Sequence, residues 1–210
     1  MPTMRELSQD HKICAILRNV SDEIVVDYAK ACVEGGVSQF EVAMNTPTAP
    51  WQIARLREYF GSSAIVGAGT VITPQRCKQA HEAGAQFFLT PSAAVCTLEY
   101  CRKSGIPLLP GVMTPSDVGL CLEYGFDLMK LFPAGDLPAG YIKSLKGPFD
   151  GTDYVAVGGV TPDNIRTFFQ NGFVGVGIGS NLFPKEYAAQ RRWDLAAQAV
   201  AKLVEAASGV

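Results

Sequence analysis

A repeat limits most strongly what this chain can become. Across 210 residues, short apolar β-branched runs alternate eight times with amphipathic runs of helical period. Period-two runs predict strands at 13–17, 39–43, 64–68, 86–89, 107–109, 128–132, 154–157 and 174–178. Runs of period 3.6 predict helices at 21–34, 50–59, 74–83, 93–103, 116–124, 139–145, 162–171 and 185–207. Strand followed by helix, repeated, predicts a parallel sheet covered by helices. Eight units predict an α/β fold, a closed (β/α)₈ TIM barrel, as one domain over 1–210. An open doubly wound sheet is the rival; the glycines after both final strands favour closure.

Local punctuation agrees with the repeat. Thr73-Pro74, Thr114-Pro115 and Thr161-Pro162 each set a capping hydroxyl before a proline suited to a first helical turn. Gly35-Gly36, Gly84, Gly105, Gly125 and Gly172 fall at helix exits, where a positive φ is needed.

In such a barrel, chemistry belongs at the C-terminal ends of the strands. Those ends carry Arg18, Glu41, Asn45, Gly69, Thr70, Pro91, Lys130, Phe132, Val157, Gly158, Gly159, Gly179 and Ser180. Lys130 is the sharpest signal, because the rest of 128–132 is apolar. Alternation puts Lys130 opposite Met129 and Leu131, so it points into the barrel if they pack on helices. A low-dielectric interior disfavours an ammonium and leaves a neutral amine able to attack a carbonyl. A structural ion pair is the competing reading. Glu41 is placed inward by the same alternation, between Phe40 and Val42, where a carboxylate can move protons for the amine or simply pair with it.

Val157-Gly158-Gly159 and Gly177-Ile178-Gly179-Ser180 close the seventh and eighth predicted strands. Barrels use this pair of loops to hold phosphate on bare backbone N–H groups. Gly67-Ala68-Gly69-Thr70 offers N–H groups and a hydroxyl to a carboxylate. Arg18 is a planar cation suited to carboxylate or phosphate.

Composition narrows the partners. The net charge is −2, with no basic stripe, so nucleic acid is not an expected partner. No apolar run approaches the ~18 residues of a membrane span, and residues 1–12 lack the apolar core of a signal peptide. The six cysteines form no C-x-x-C pair, so reduced buried thiols in a cytoplasmic protein are expected, with a catalytic cysteine as the alternative. His11 and His81 lie away from the strand ends, so no metal or other cofactor is expected.

Taken in order, Ala-Ile-Leu-Arg18, Phe-Glu41-Val, Val-Gly-Ala-Gly-Thr70-Val, Leu-Thr-Pro91-Ser, Pro-Gly-Val-Met-Thr-Pro115, Met-Lys130-Leu-Phe-Pro133, Lys-Gly-Pro148-Phe, Val-Gly-Gly159-Val-Thr-Pro and Gly-Ile-Gly-Ser180 span nearly the whole chain. In these motifs the chain resembles the class I aldolases of the KDPG/KHG family. That family acts on 2-keto-3-deoxy-6-phosphogluconate, its galactonate epimer or 4-hydroxy-2-oxoglutarate. The resemblance implies a Schiff base on Lys130 and a proton shuttle at Glu41. It implies Gly69, Thr70 and Pro91 around pyruvate, phosphate near Gly159 and Ser180, and a homotrimer. Two positions depart from parts of the family. Asn45 stands where some members carry arginine, and Val157 stands where gluconate-type members carry threonine; both look more like the galactonate enzymes. A phosphate-binding isomerase and a non-catalytic sugar-phosphate sensor are the rival functions.

Overall fold

The structure is a computed structural model that describes residues 3–208; residues 1–2 and 209–210 of the expected 1–210 domain lie outside the described residues. Its strands are β1 (Ile13–Leu17), β2 (Gln39–Ala43), β3 (Ile65–Gly69), β4 (Phe88–Leu89), β5 (Leu108–Leu109), β6 (Gly111–Val112), β7 (Leu128–Leu131), β8 (Asp153–Val157) and β9 (Gly175–Ile178). All neighbours pair in parallel, in the order β5-β4-β3-β2-β1-β9-β8-β7-β6. The two end strands, β5 and β6, are one stave interrupted at Pro110. Proline has no N–H for the ladder, but its carbonyl accepts the Lys130 N–H at 2.8 Å. Nine segments thus make eight staves, and the sheet closes as a (β/α)₈ barrel.

Alternation divides the apolar residues into two sets. Ala15, Leu17, Phe40, Val42, Val66, Ala68, Phe88, Met129, Leu131, Tyr154, Ala156, Val176 and Ile178 face the surrounding helices in the main core. Cys14, Phe87, Leu89, Leu109, Leu128, Val155 and Val157 form a second cluster inside the barrel. Each large side chain so buried contributes about 1.5–3 kcal/mol.

The helical layer is α2 (Val25–Glu34), α3 (Ala49–Phe60), α4 (Pro74–Glu82), α5 (Val95–Ser104), α6 (Pro115–Glu123), α7 (Tyr141–Lys146), α8 (Ile165–Gln170), α9 (Lys185–Ala189) and α10 (Trp193–Ser208). Gly36, Gly84, Gly105, Gly125 and Gly172 take φ between +73° and +95°, as their place at helix exits predicts. Gly35 does not, its φ being −80°. It is glycine for space: a Cβ there would fall 2.5 Å from Val200 Cβ, so α10 could not lie against α2. The helix expected over 185–207 is broken, because Arg191 adopts φ +53° and ends α9.

A helix also precedes β1, where the sequence reads only as polar. This is α1 (Met4–Asp10), opened by a capping box in which the Thr3 hydroxyl accepts the Glu6 N–H and the Glu6 carboxylate accepts the Thr3 N–H. Seven residues cannot sustain a helix alone. Met4 and Leu7 anchor it against the inner cluster. Arg5 adds hydrogen bonds to Asp127, Asp153 and the Gly151 carbonyl.

Candidate active site

Both inward predictions hold. Phe40, Val42, Met129 and Leu131 belong to the helix-facing core, so Glu41 and Lys130 point into the barrel. They are 1% and 4% exposed. Their heads reach toward the C-terminal mouth. Any side chain at Gly69, the last residue of β3, would overlap the Glu41 carboxylate, so glycine there makes its place. Lys130 Nζ lies 5.1 Å from the centre of the ring of Phe132, the residue that follows β7.

Charge at this point is poorly compensated. Glu41 Oε2 is buried without a hydrogen-bond partner. Among the described residues, neither Glu41 nor Lys130 lies in an ion pair; the simple structural pairing of the two is therefore not what holds them. Burial pushes the Glu41 carboxyl above its ordinary range, while Lys130 and then Arg18 pull it back. Cys14, the thiol nearest in charge to this pair, is raised well above its usual value by burial and then by Glu41, so it stays protonated. Burial likewise pushes Cys32 and Cys121 up to about 12. All six cysteines are free, and only Cys96 is more than marginally accessible.

Around the buried pair, accessibility increases outward. Gly69 and Val157 are buried, Thr70, Pro91, Gly158 and Gly179 are half-buried, and Arg18, Asn45, Phe132, Gly159 and Ser180 are exposed. Arg18 follows β1, and its charge acts on Glu41. Asn45 follows β2 in a turn. Thr70 follows β3 in a left-handed conformation, φ +57°, which a β-branched residue adopts only when its surroundings hold it there. Pro91 follows β4, and the glycine at 111 is forced by closeness to Pro91 and Ser92, which any Cβ would strike. Val157 faces inward and touches the same space as Gly177, where a Cβ would come within 2.9 Å of it.

Gly158 and Gly159 take φ +90° and +73° in succession. Gly135, in the 3₁₀ turn Ala134–Asp136, packs so closely that its Cβ would lie 2.8 Å from Gly159 Cα. The helix expected from 162 starts only at Ile165. The reason is Asn164, whose side chain accepts the Thr161 N–H and donates to the Gly159 carbonyl, both at 2.8 Å. It fastens the loop back on itself in place of a regular first turn. Asn181 donates to the Val160 carbonyl at 2.9 Å and ties the loop after β9 to the loop after β8. These supports escape a reading centred on glycine; the one signal for Asn164 is an Asx residue three beyond a threonine, a pattern of turns. Arg76 is also missed: its Nη1 donates to the Thr70 carbonyl at 3.1 Å.

Comparison with known proteins agrees with this geometry. The family described as KDPG and KHG aldolase matches residues 4–199. A 2-dehydro-3-deoxy-6-phosphogalactonate aldolase of Escherichia coli K12 is 30% identical over 92% of this chain and 95% of its own. A KHG/KDPG aldolase of the same strain is 35% identical over 88% and 87%. Among solved structures, a KDPG aldolase from Legionella pneumophila with pyruvate captured as a covalent carbinolamine superposes with a TM-score of 0.85 at 28% identity, covering 94% of this chain and 96% of that one. A native KDPGal structure gives 0.84 at 29%, with coverages of 92% and 93%. The chain belongs to the KDPG and KHG aldolase family of carbon–carbon lyases.

Proposed function

We propose that this aldolase cleaves 2-dehydro-3-deoxy-6-phosphogalactonate, with the gluconate epimer as second substrate, to pyruvate and D-glyceraldehyde 3-phosphate. The observation that carries the reading is the buried Lys130 and Glu41, neither in an ion pair among the described residues and Glu41 Oε2 without a hydrogen-bond donor, at the base of a mouth rimmed by two glycine loops. Lys130, in its uncharged form, attacks C2 of the keto acid. Glu41 supplies and removes the protons that turn the carbinolamine into an iminium and water. The iminium draws electrons from the C3–C4 bond as Glu41 takes the C4 hydroxyl proton. The aldehyde leaves, and the enamine is protonated and hydrolysed to pyruvate and free amine.

In this reading Gly69, Thr70 and Pro91 surround pyruvate, and Phe132 packs beside the amine. Gly158, Gly159, Gly179 and Ser180 take the phosphate, and Arg18 supplies the fixed cation for an anionic end of the substrate. Asn45 and Val157 favour the galactonate epimer, since Val157 withholds a hydroxyl that would read the C4 configuration. Cleavage of 4-hydroxy-2-oxoglutarate to pyruvate and glyoxylate is the second reading; it is favoured by the 35% identical relative, whose name includes KHG. We further propose a cytoplasmic homotrimer that needs no metal or cofactor and does not act on nucleic acid or membranes. Among the described residues no helix is long and apolar enough to cross a membrane.

The test is coupled pyruvate release from the two C4-epimeric phosphorylated substrates and from 4-hydroxy-2-oxoglutarate, run side by side. The galactonate epimer should give the highest kcat/KM. Faster release from either other substrate would reassign the preference, and release from none would reject the activity.

A further inference from the structure

We infer that Arg76 is a positioning residue for the carboxylate end of the substrate, acting through Thr70; this rests on the proposed Schiff-base reading, in which Thr70 lies beside pyruvate. Thr70 holds φ +57°, a conformation that a β-branched residue leaves unless it is fixed from several sides. The fixings are visible. The Gly69 carbonyl before it accepts the Met44 N–H at 2.8 Å, and the Val71 N–H after it donates to the Leu89 carbonyl at 3.3 Å. The Val71 carbonyl accepts the fully buried Thr97 hydroxyl of α5 at 2.6 Å.

The carbonyl of Thr70 itself is held by a side chain, Arg76 Nη1, at 3.1 Å. Arg76 can do this because its own backbone is fixed. Its N–H donates to the Thr73 hydroxyl that caps α4, at 3.2 Å, so segment 70–76 closes on itself. The half-buried guanidinium makes the bond charge-assisted, roughly twice as strong as a neutral one. Removing it frees Thr70 to relax toward ordinary φ and carries its hydroxyl and amide out of place. Glu41, Lys130 and the phosphate loops are built on other elements and stay where they are.

The effect should therefore be confined to one half of the substrate. In R76M, the pyruvate concentration giving half-maximal borohydride trapping of Lys130 should rise about tenfold, the scale of one lost charge-assisted hydrogen bond acting indirectly. Inhibition of cleavage by inorganic phosphate should be unchanged, KM for the full substrate should rise, and kcat should fall by less than about threefold. R76K, which keeps a donor and a charge, should recover most of the loss. If R76M does not fold, R76Q takes its place in the same assays. An unchanged trapping curve in the folded variant would overturn the inference, as would parallel weakening of pyruvate and phosphate. Absence of any trapped adduct in the wild-type protein would instead reject the Schiff-base reading itself.

Discussion

The N-terminal end of the barrel carries Arg5, Asp127, Lys146 and Asp153, and each has an opposite charge within 3.1 Å. The C-terminal end carries Arg18, Glu41 and Lys130, and among the described residues none of these is in an ion pair. In the first set, the Arg5 pairs clamp α1 over the barrel floor and Lys146 ties α7 to β8. The second leaves a buried carboxylate oxygen with no donor, a cost that a purely structural site would remove. One end has spent its charges on holding the fold together. The other keeps them available to a ligand.

The contrast can be broken from either side. Lys130→Ala should lower cleavage at least about a thousandfold while the protein stays folded, since only one buried amine is lost; steady-state pyruvate release beside a thermal melt checks both. Glu41→Gln should cost roughly 10²- to 10⁴-fold in kcat and should stabilise the protein at neutral pH.

The sign of that second effect follows from burial. The folded carboxyl is raised above 4.5, so over a window above that value the folded chain binds a proton the unfolded chain has released. Stability then falls as pH rises through the window. Glutamine removes this dependence, so the melting temperature of E41Q should exceed that of wild type by a margin that grows from pH 4.5 upward. An advantage of a few degrees corresponds to about 1–2 kcal/mol for a chain of this size.

Arg5→Ala should act in the opposite sense, lowering the melting temperature by a few degrees. Arg5 is more than a third exposed, so about 1 kcal/mol is expected after screening. Its kcat should not change; a large fall would mean that the two ends are coupled. The smallest effect is expected for Val157→Thr, a shift of a few-fold in relative kcat/KM toward the gluconate epimer.

Most of the barrel and the heart of the site are readable in the sequence because both rest on periodicity. Period two sets Glu41 and Lys130 opposite their apolar neighbours, and a repeat that covers the outer face with helices then sends both inward. What is not readable depends on encounters between distant segments. The capping box of Thr3 and Glu6 is a local signal, but α1 persists because Met4 and Leu7 join the cluster inside the barrel and Arg5 meets Asp127 and Asp153, more than 120 positions away. The strand expected at 107–109 stops where its stave does not: past Pro110 it goes on as Gly111–Val112, which pairs with β7. Gly35 reads as a turn glycine, yet Val200 on α10 is what excludes a side chain there. The start of α8 is displaced by the Asn164 side chain, and the hold of Arg76 on Thr70 is a single hydrogen bond with no pattern to announce it.

The most direct test of the account is to incubate the protein with pyruvate and sodium borohydride and map the adduct by peptide mass spectrometry. Stoichiometric reductive attachment of pyruvate at Lys130, lost in Lys130→Ala, is the predicted result. Labelling spread over surface lysines such as Lys78 or Lys103, with Lys130 unmodified, would contradict it.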